Sequence, residues 1–188
     1  RDTIPYDTLG NYRKFMWRAA RVSNNSTTTQ NNFITIHRGE NQGVFKDMGV
    51  VSSTGVVGTV VNTSPNYATV MSLLHRQSKL SASLKKSGET GTVQWDGDSP
   101  LFLTLINIPK SAKISQGDTI LTSQYADRFP PTMVGTVHSI VDDKSSNFYV
   151  LKIRPATNFF SLQYVYVVQN LQADEKKQLE EDTRKKIQ

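Results

Sequence analysis

Cysteine is missing from all 188 residues, which excludes disulfide frameworks, thiolate metal sites and cysteine nucleophiles together. Histidine is nearly as scarce. His37, His75 and His138 stand singly, with no second histidine or carboxylate at ligand spacing on the same element, so no metal centre is expected. Long apolar runs are also missing: the longest are about five residues, Tyr164 to Val168 among them, against the ~20 that span a bilayer. No charged-then-apolar leader opens the chain at Arg1, so any signal or anchor is expected to be absent from this stretch. Neither a Walker loop nor a dinucleotide-binding glycine pattern occurs, because Gly55-Val56-Val57-Gly58 lacks the third glycine and a following helix. No cofactor is expected.

What is present is a modest excess of one charge and many short β-type runs. Lys and Arg outnumber Asp and Glu by 22 to 16, a net +6, which favours anionic neighbours such as nucleic acid, lipid headgroups or acidic protein surfaces. Val, Ile, Thr, Tyr and Phe gather in short runs bounded by Gly, Asn, Asp, Ser and Pro. These are Phe33 to His37, Gly49 to Ser52, Val56 to Asn62, Ala68 to Leu74, Leu80 to Lys85, Thr90 to Trp95, Leu101 to Ile108, Thr119 to Thr122, Met133 to Val141, Phe148 to Ile153 and Tyr164 to Val168. They predict an all-β chain arranged as a sandwich or as barrels, since closing a sheet on itself removes exposed edges.

An internal echo points to two similar small barrels. Val57-Gly58-Thr59-Val60 recurs as Val134-Gly135-Thr136-Val137, and each leads through a polar turn to an Asn-plus-aromatic pair, Asn66-Tyr67 and Asn147-Phe148. Upstream, Gln42-Gly43 precedes Val50-Val51-Ser52-Ser53 as Gln116-Gly117 precedes Ile120-Leu121-Thr122-Ser123. The ends differ. Tyr12, Phe15, Met16 and Ala19 lie at helical spacing, yet Phe15, Trp17 and Ala19 alternate as a strand would, so periodicity leaves both readings open. From Ala173 to Gln188 the chain is almost wholly charged, with pairs four apart at Glu180/Arg184, Glu181/Lys185 and Asp182/Lys186, as in a frayed tail or an exposed helix.

Two chemistries deserve weighing. Gly97-Asp98-Ser99 is similar to the nucleophile segment of chymotrypsin-like proteases, which are themselves two-barrel proteins, and His37 and His75 precede it. Pro100 stands where that segment has glycine, and the order-matched acid would be Asp47 or Asp96. The oxyanion hole needs backbone N–H groups in a tight loop that glycines permit, so a turn is the simpler reading. Barrels such as OB-folds also bind nucleic acid, but Lys79, Lys85 and Lys86 do not combine with aromatics into a stacking strip. A degenerate two-barrel hydrolase and a barrel-type nucleic-acid-binding module are the alternative readings.

The order of motifs carries a more specific resemblance. Phe33-Ile34-Thr35-Ile36-His37-Arg38-Gly39, Gln42-Gly43-Val44, Asp47-Met48-Gly49-Val50-Val51 and Gly55-Val56-Val57-Gly58-Thr59-Val60 come first. Ser87-Gly88, Gly91-Thr92-Val93, Gly117-Asp118-Thr119-Ile120-Leu121-Thr122-Ser123, Phe129-Pro130, Met133-Val134-Gly135-Thr136-Val137 and Tyr164-Val165-Tyr166-Val167-Val168 follow. In this order, over roughly residues 13 to 170, they resemble the extracytoplasmic region of the rod shape-determining MreC family. The family has Gly after Thr-Ser where this chain has Gln124, which bears on the loop through Tyr125 and Arg128.

The resemblance implies two six-stranded β-barrels with short flanking helix or tail segments, and it favours a strand for Phe15 to Ser23. It implies a non-enzymatic scaffold of the cell-wall elongation machinery, without catalytic, metal or cofactor residues, at the outer face of the cytoplasmic membrane through an anchor helix absent from this stretch. The implied partners are a class B penicillin-binding transpeptidase, MreD, RodA and the MreB system, with self-association and no nucleic acid. The expected division is a linker or coiled-coil remnant over 1–12, a first barrel over 13–100, a second over 101–171 and a charged tail over 172–188. The second barrel either follows the first or is inserted in it, since Tyr164 to Val168 can close either. Candidate partner contacts are Tyr125, Arg128 and Phe129 on a Gly- and Pro-flanked loop, with Tyr164 and Tyr166 alternating on the last strand. Gly55, Gly58, Gly117, Asp118 and Gly135 are expected to shape turns and barrel strands.

Overall fold

Twelve strands, a single 3-10 turn (Glu40–Gln42) and one α-helix make up the regular structure of residues 14–187, which the computed structural model describes; the linker expected over 1–12 lies outside them. The strands are β1 (Phe15–Asn25), β2 (Asn31–Ile36), β3 (Gly49–Val51), β4 (Val56–Thr63), β5 (Ala68–His75) and β6 (Leu80–Leu84). They continue with β7 (Thr90–Gln94), β8 (Leu103–Pro109), β9 (Thr119–Thr122), β10 (Met133–Val141), β11 (Phe148–Pro155) and β12 (Tyr164–Asn170). Helix α1 (Ala173–Ile187) follows. No helix among the described residues is long and apolar enough to cross a membrane.

The strands close two six-stranded antiparallel barrels, one in the ring order β1-β12-β3-β4-β5-β2 and the other β10-β11-β8-β7-β6-β9. Residues 80–155 therefore form one complete barrel inserted between β5 and β12 of the other. This corrects the division at residue 100: β6 and β7 hydrogen-bond to β9 and β8, not to the first barrel. The first ring is sealed by β12, where Tyr166 pairs with both Ala19 and Val51. Laid side by side, β6 to β11 take the ring places of β12 and then β1 to β5. The two barrels share one topology, circularly permuted.

Alternation places the cores. Along β12, Tyr164 and Tyr166 face out while Val165 and Val167 are fully buried, and β6 alternates in the same way through Leu80, Ala82 and Leu84. Ile34, Ile36, Val60, Val70 and Leu74 bury in the first barrel, and Leu103, Leu105, Ile120, Leu151 and Ile153 in the second. Each such side chain contributes roughly 1.5–3 kcal/mol relative to exposure.

The echoed Val-Gly-Thr-Val motifs occupy equivalent strands, β4 and β10. Gly58 stands opposite Val50 of β3, and Gly135 opposite Ile120 of β9. A Cβ on either would come within 2.0 Å of the Met71 carbonyl or 2.2 Å of the Arg154 carbonyl on the next strand, so both positions require glycine. The Gln-Gly part of the echo is coincidental. Gly117 donates to the Val137 carbonyl, and Val137 donates back to Asp118; in the first barrel it is Asp47 that donates to Val60, which donates to Met48. Asp47 and Gly117 are thus the matching positions, with φ of 73° and 90°, a region that glycine adopts freely and aspartate tolerates. Asp118 completes its turn by accepting the Ser115 N–H at 2.8 Å.

The barrels meet on the outer side of β3, all of whose residues are buried. Phe129 of the second barrel lies on Gly49, where a Cβ would sit 2.6 Å from the ring, and Gly55 abuts the Met133 carbonyl and Ala156. Thr157, 3% exposed, ties the seam by donating to the Val56 carbonyl at 2.9 Å and pairing with the Ser52 hydroxyl at 2.9 Å.

At the C-terminal end the sequence expectation of an exposed helix is met by α1, in which no residue is buried. The three anticipated acid-to-base pairs are not among the ion pairs of the described residues; Lys176 instead bridges Asp127 at 2.6 Å and Glu180 at 3.9 Å.

Candidate functional site

The expected contact residues fall on two separate parts of the molecule. The first is the connection from β9 to β10. In the first barrel the equivalent β3–β4 connection is a tight turn, closed by the Ser52 hydroxyl accepting the Gly55 N–H at 3.1 Å. In the second barrel the same place carries a ten-residue loop from Ser123 to Thr132. The loop is held by its own sequence. Ser123 accepts the Tyr125 N–H at 3.1 Å and pairs with Ser81 at 2.6 Å, while Thr122 accepts the Thr132 N–H at 2.9 Å and donates to the Pro130 carbonyl at 3.1 Å.

Two further ties fix the loop from outside. Asn170 of β12 donates to the Asp127 carbonyl at 2.6 Å, and Lys176 of α1 bonds the Asp127 carboxylate, which raises the lysine above its ordinary range. Gln124 takes the place of the family glycine without left-handed backbone: the positive-φ non-glycine residues described are Asp47 and Asn107. Tyr125 is left 68% exposed at the crest of this pinned loop. Phe129 is corrected as a candidate. It is 4% exposed, its ring packed on the bare backbone of Gly49, and burying an apolar ring between the barrels is favoured over leaving it in water. Arg128, half-buried, lines a cavity of about 450 Å³ with Phe45, Lys46, Met48, Asp127 and Lys177.

The second part is the outer face of β12. Tyr164 and Tyr166 are 62% and 40% exposed and register with Arg21 and Ala19 of β1. Tyr164 borders a polar groove of about 340 Å³ between the β3–β4 turn and the 158–163 segment. Asn170, which touches the first part, is six residue steps along β12 from Tyr164, and at ~3.4 Å per step the two parts lie ~20 Å apart along the strand. They are two patches, not one cluster. Sequence reasoning missed Phe45, which is exposed on the cavity wall; the one available signal is an aromatic between Val44 and the Lys46-Asp47 turn.

The protease-like segment is a turn. Asp96 accepts the Asp98 N–H at 2.9 Å, Gly97 has φ 85°, the Ser99 hydroxyl accepts the Leu101 N–H at 3.2 Å, and the Trp95 indole donates to the Ser99 carbonyl at 2.9 Å. The histidines are engaged elsewhere: His75 Nδ1 accepts the Gln77 N–H at 3.0 Å, and His37 stacks on Tyr67 with centroids 4.7 Å apart.

Comparison with known proteins agrees with this architecture. The family model for the rod shape-determining protein MreC, barrel core, matches residues 22–169. The cell shape-determining protein MreC of Listeria monocytogenes is 29% identical over 154 residues, 79% of this chain and 52% of the relative, so the chain spans about half its length. A solved MreC structure from Listeria monocytogenes superposes with a TM-score of 0.76 at 26% identity, covering 83% of this chain and 76% of that one. A solved complex between a penicillin-binding protein, PBP2, and MreC from Helicobacter pylori shares the fold, with a TM-score of 0.67 at 19% identity over 84% of this chain and 99% of that one. With its paired barrels and a family match that runs across both of them, this chain belongs to the rod shape-determining MreC family.

Proposed function

We propose that the chain is a non-enzymatic scaffold that determines cell shape by docking a class B penicillin-binding transpeptidase and organising wall synthesis. Family membership supports the role, and a PBP2–MreC complex from Helicobacter pylori supports the class of partner. The observation that carries the docking reading is Tyr125: a large aromatic, mostly exposed, on a loop tied down by both barrels and by α1. A pre-ordered aromatic loses little conformational freedom on binding, which is the character of an interface anchor. Tyr164 and Tyr166 form the second contact, and Arg128 flanks the first.

In this reading the barrels stand at the outer face of the cytoplasmic membrane, anchored through a segment outside this stretch. Tethering of both partners to one membrane raises their effective concentration, so a modest interface suffices. MreD, RodA, the MreB system and a second copy of the chain are the further partners that the family implies. The test is affinity for the soluble part of the cognate transpeptidase. Tyr125→Ala should weaken binding by ~2 kcal/mol, about 30-fold, with an unchanged melting temperature. An affinity that is unmoved by Tyr125→Ala and by Tyr164→Ala/Tyr166→Ala together overturns the assignment.

A further inference from the structure

A second surface on the inserted barrel has the chemistry of a binding site and is absent from the sequence expectations. Lys152 and Arg154 stand two apart on β11, on one outer face, with the buried Leu151 and Ile153 on the other. Both cations lie over the ring of Phe102, Lys152 at 4.6 Å and Arg154 at 5.8 Å from its centroid. His138 reaches the same ring at 4.7 Å. It is the extra residue of a β-bulge, since Val137 pairs with Ile153 and Ser139 already with Lys152. Bulges re-aim side chains, and this one brings a third nitrogen base to the cluster. The Arg154 guanidinium also approaches His138 Nδ1, at 3.4 Å.

The cluster is uncompensated. None of the ion pairs among the described residues includes Lys152 or Arg154, although carboxylates elsewhere neutralise Lys110 and Lys176. Arg154 also forms one wall of a groove of about 220 Å³ with Leu101, Pro155, Ala156 and Phe160, in which Leu101 and Phe160 are 57% and 59% exposed. Cations fixed on an aromatic platform thus adjoin a shallow groove of mixed lining, with the exposed apolar side chains of Leu101 and Phe160 on its walls and Asn158 beside them. The paired donors of a guanidinium match the two oxygens of a carboxylate.

We propose that this face of the second barrel docks an acidic peptide segment of a partner protein, its carboxylates on Lys152, Arg154 and His138 and an adjoining apolar side chain between Leu101 and Phe160. The site is distinct from the Tyr125 loop and from β12, and it does not rest on the transpeptidase reading. Its occupancy would give the scaffold a second, independent partner.

The probe is a fluorescein-labelled peptide, Gly-Asp-Leu-Glu-Phe-Asp-Gly, followed by anisotropy with this chain in low salt. Lys152→Glu/Arg154→Glu should weaken binding at least ~30-fold and Leu101→Ser/Phe160→Ser about 10-fold. These side chains are exposed, and an unchanged melting temperature shows that each variant folds. A peptide with lysine in place of each acid should not bind. No binding by the unmutated chain, or binding that both variants leave intact, overturns the proposal. So does capture by phosphatidylglycerol vesicles without capture of the peptide, which would make the face a lipid contact. Because no transpeptidase is present in the assay, failure here leaves the docking reading above untouched.

Discussion

Truncating Phe129 separates a seam residue from an interface anchor. The ring is 4% exposed and stands where a Cβ on Gly49 would approach within 2.6 Å, so it packs one barrel directly on the backbone of the other. Phe129→Ala removes a buried aromatic at a site that two rigid barrels cannot collapse, and should cost ~3–5 kcal/mol. For a chain of this size that is a fall in melting temperature of about 6–20 °C. Gly49→Ala attacks the same contact from the other side by overpacking, at ~1–3 kcal/mol. The two are coupled, because the methyl group added at position 49 enters the space that the lost ring vacates. The double variant should therefore be more stable than additivity requires, by ~0.5–3 kcal/mol. Thermal and urea unfolding followed by circular dichroism would read all three. A Phe129→Ala protein melting within about 2 °C of the parent, or strict additivity in the double variant, refutes the seam.

The circular permutation makes a paired prediction: Gly58→Ala and Gly135→Ala drive a methyl group into a carbonyl on the neighbouring strand, and each should lower stability by at least ~2 kcal/mol in urea unfolding. Acid should destabilise the chain through His75, whose burial lowers its pKa below the ordinary 6.5. The unfolded chain then takes up the proton first, so stability present above that value is lost as pH falls through and below it, and His75→Gln should flatten this slope in melting scans between pH 7.5 and 5. An activated-serine probe should leave Ser99 unlabelled, because its hydroxyl is engaged with the Leu101 N–H; stoichiometric labelling abolished by Ser99→Ala would restore the hydrolase reading.

Much of the architecture is written in local pattern. Short β-branched runs bounded by turn residues mark the strands, and the repeated Val-Gly-Thr-Val marks equivalent strands because both glycines meet the same carbonyl obstacle on the next strand. The barrel boundary was not legible at residue 100, since which strands pair is settled by ring closure and not by the pattern within a strand. Leu80 to Leu84 reads the same in either barrel, and only its pairing with β7 and β9 decides. The Gln42-Gly43 match misled for a related reason: identity of a dipeptide is weaker than identity of backbone role, and Asp47 plays the role of Gly117. At the candidate site, sequence picks out the aromatics but not their direction. Tyr125 and Phe129 are four apart on one loop, yet one faces solvent and the other the opposite barrel, which depends on a seam formed by residues far away in the chain. The cluster on Phe102 was invisible because its members come from three segments, joined by a bulge that no motif announces.

The docking reading is tested most directly by site-specific photo-crosslinking in parent cells that carry the full-length protein as their sole copy. A p-benzoyl-phenylalanine would be placed at position 125, at 164 or, as a control on the first barrel's β2, at 33. The account predicts an adduct with a class B penicillin-binding transpeptidase from position 125, a weaker one from 164 and none from 33. Folded, shape-competent protein that gives no transpeptidase adduct from either 125 or 164 contradicts it.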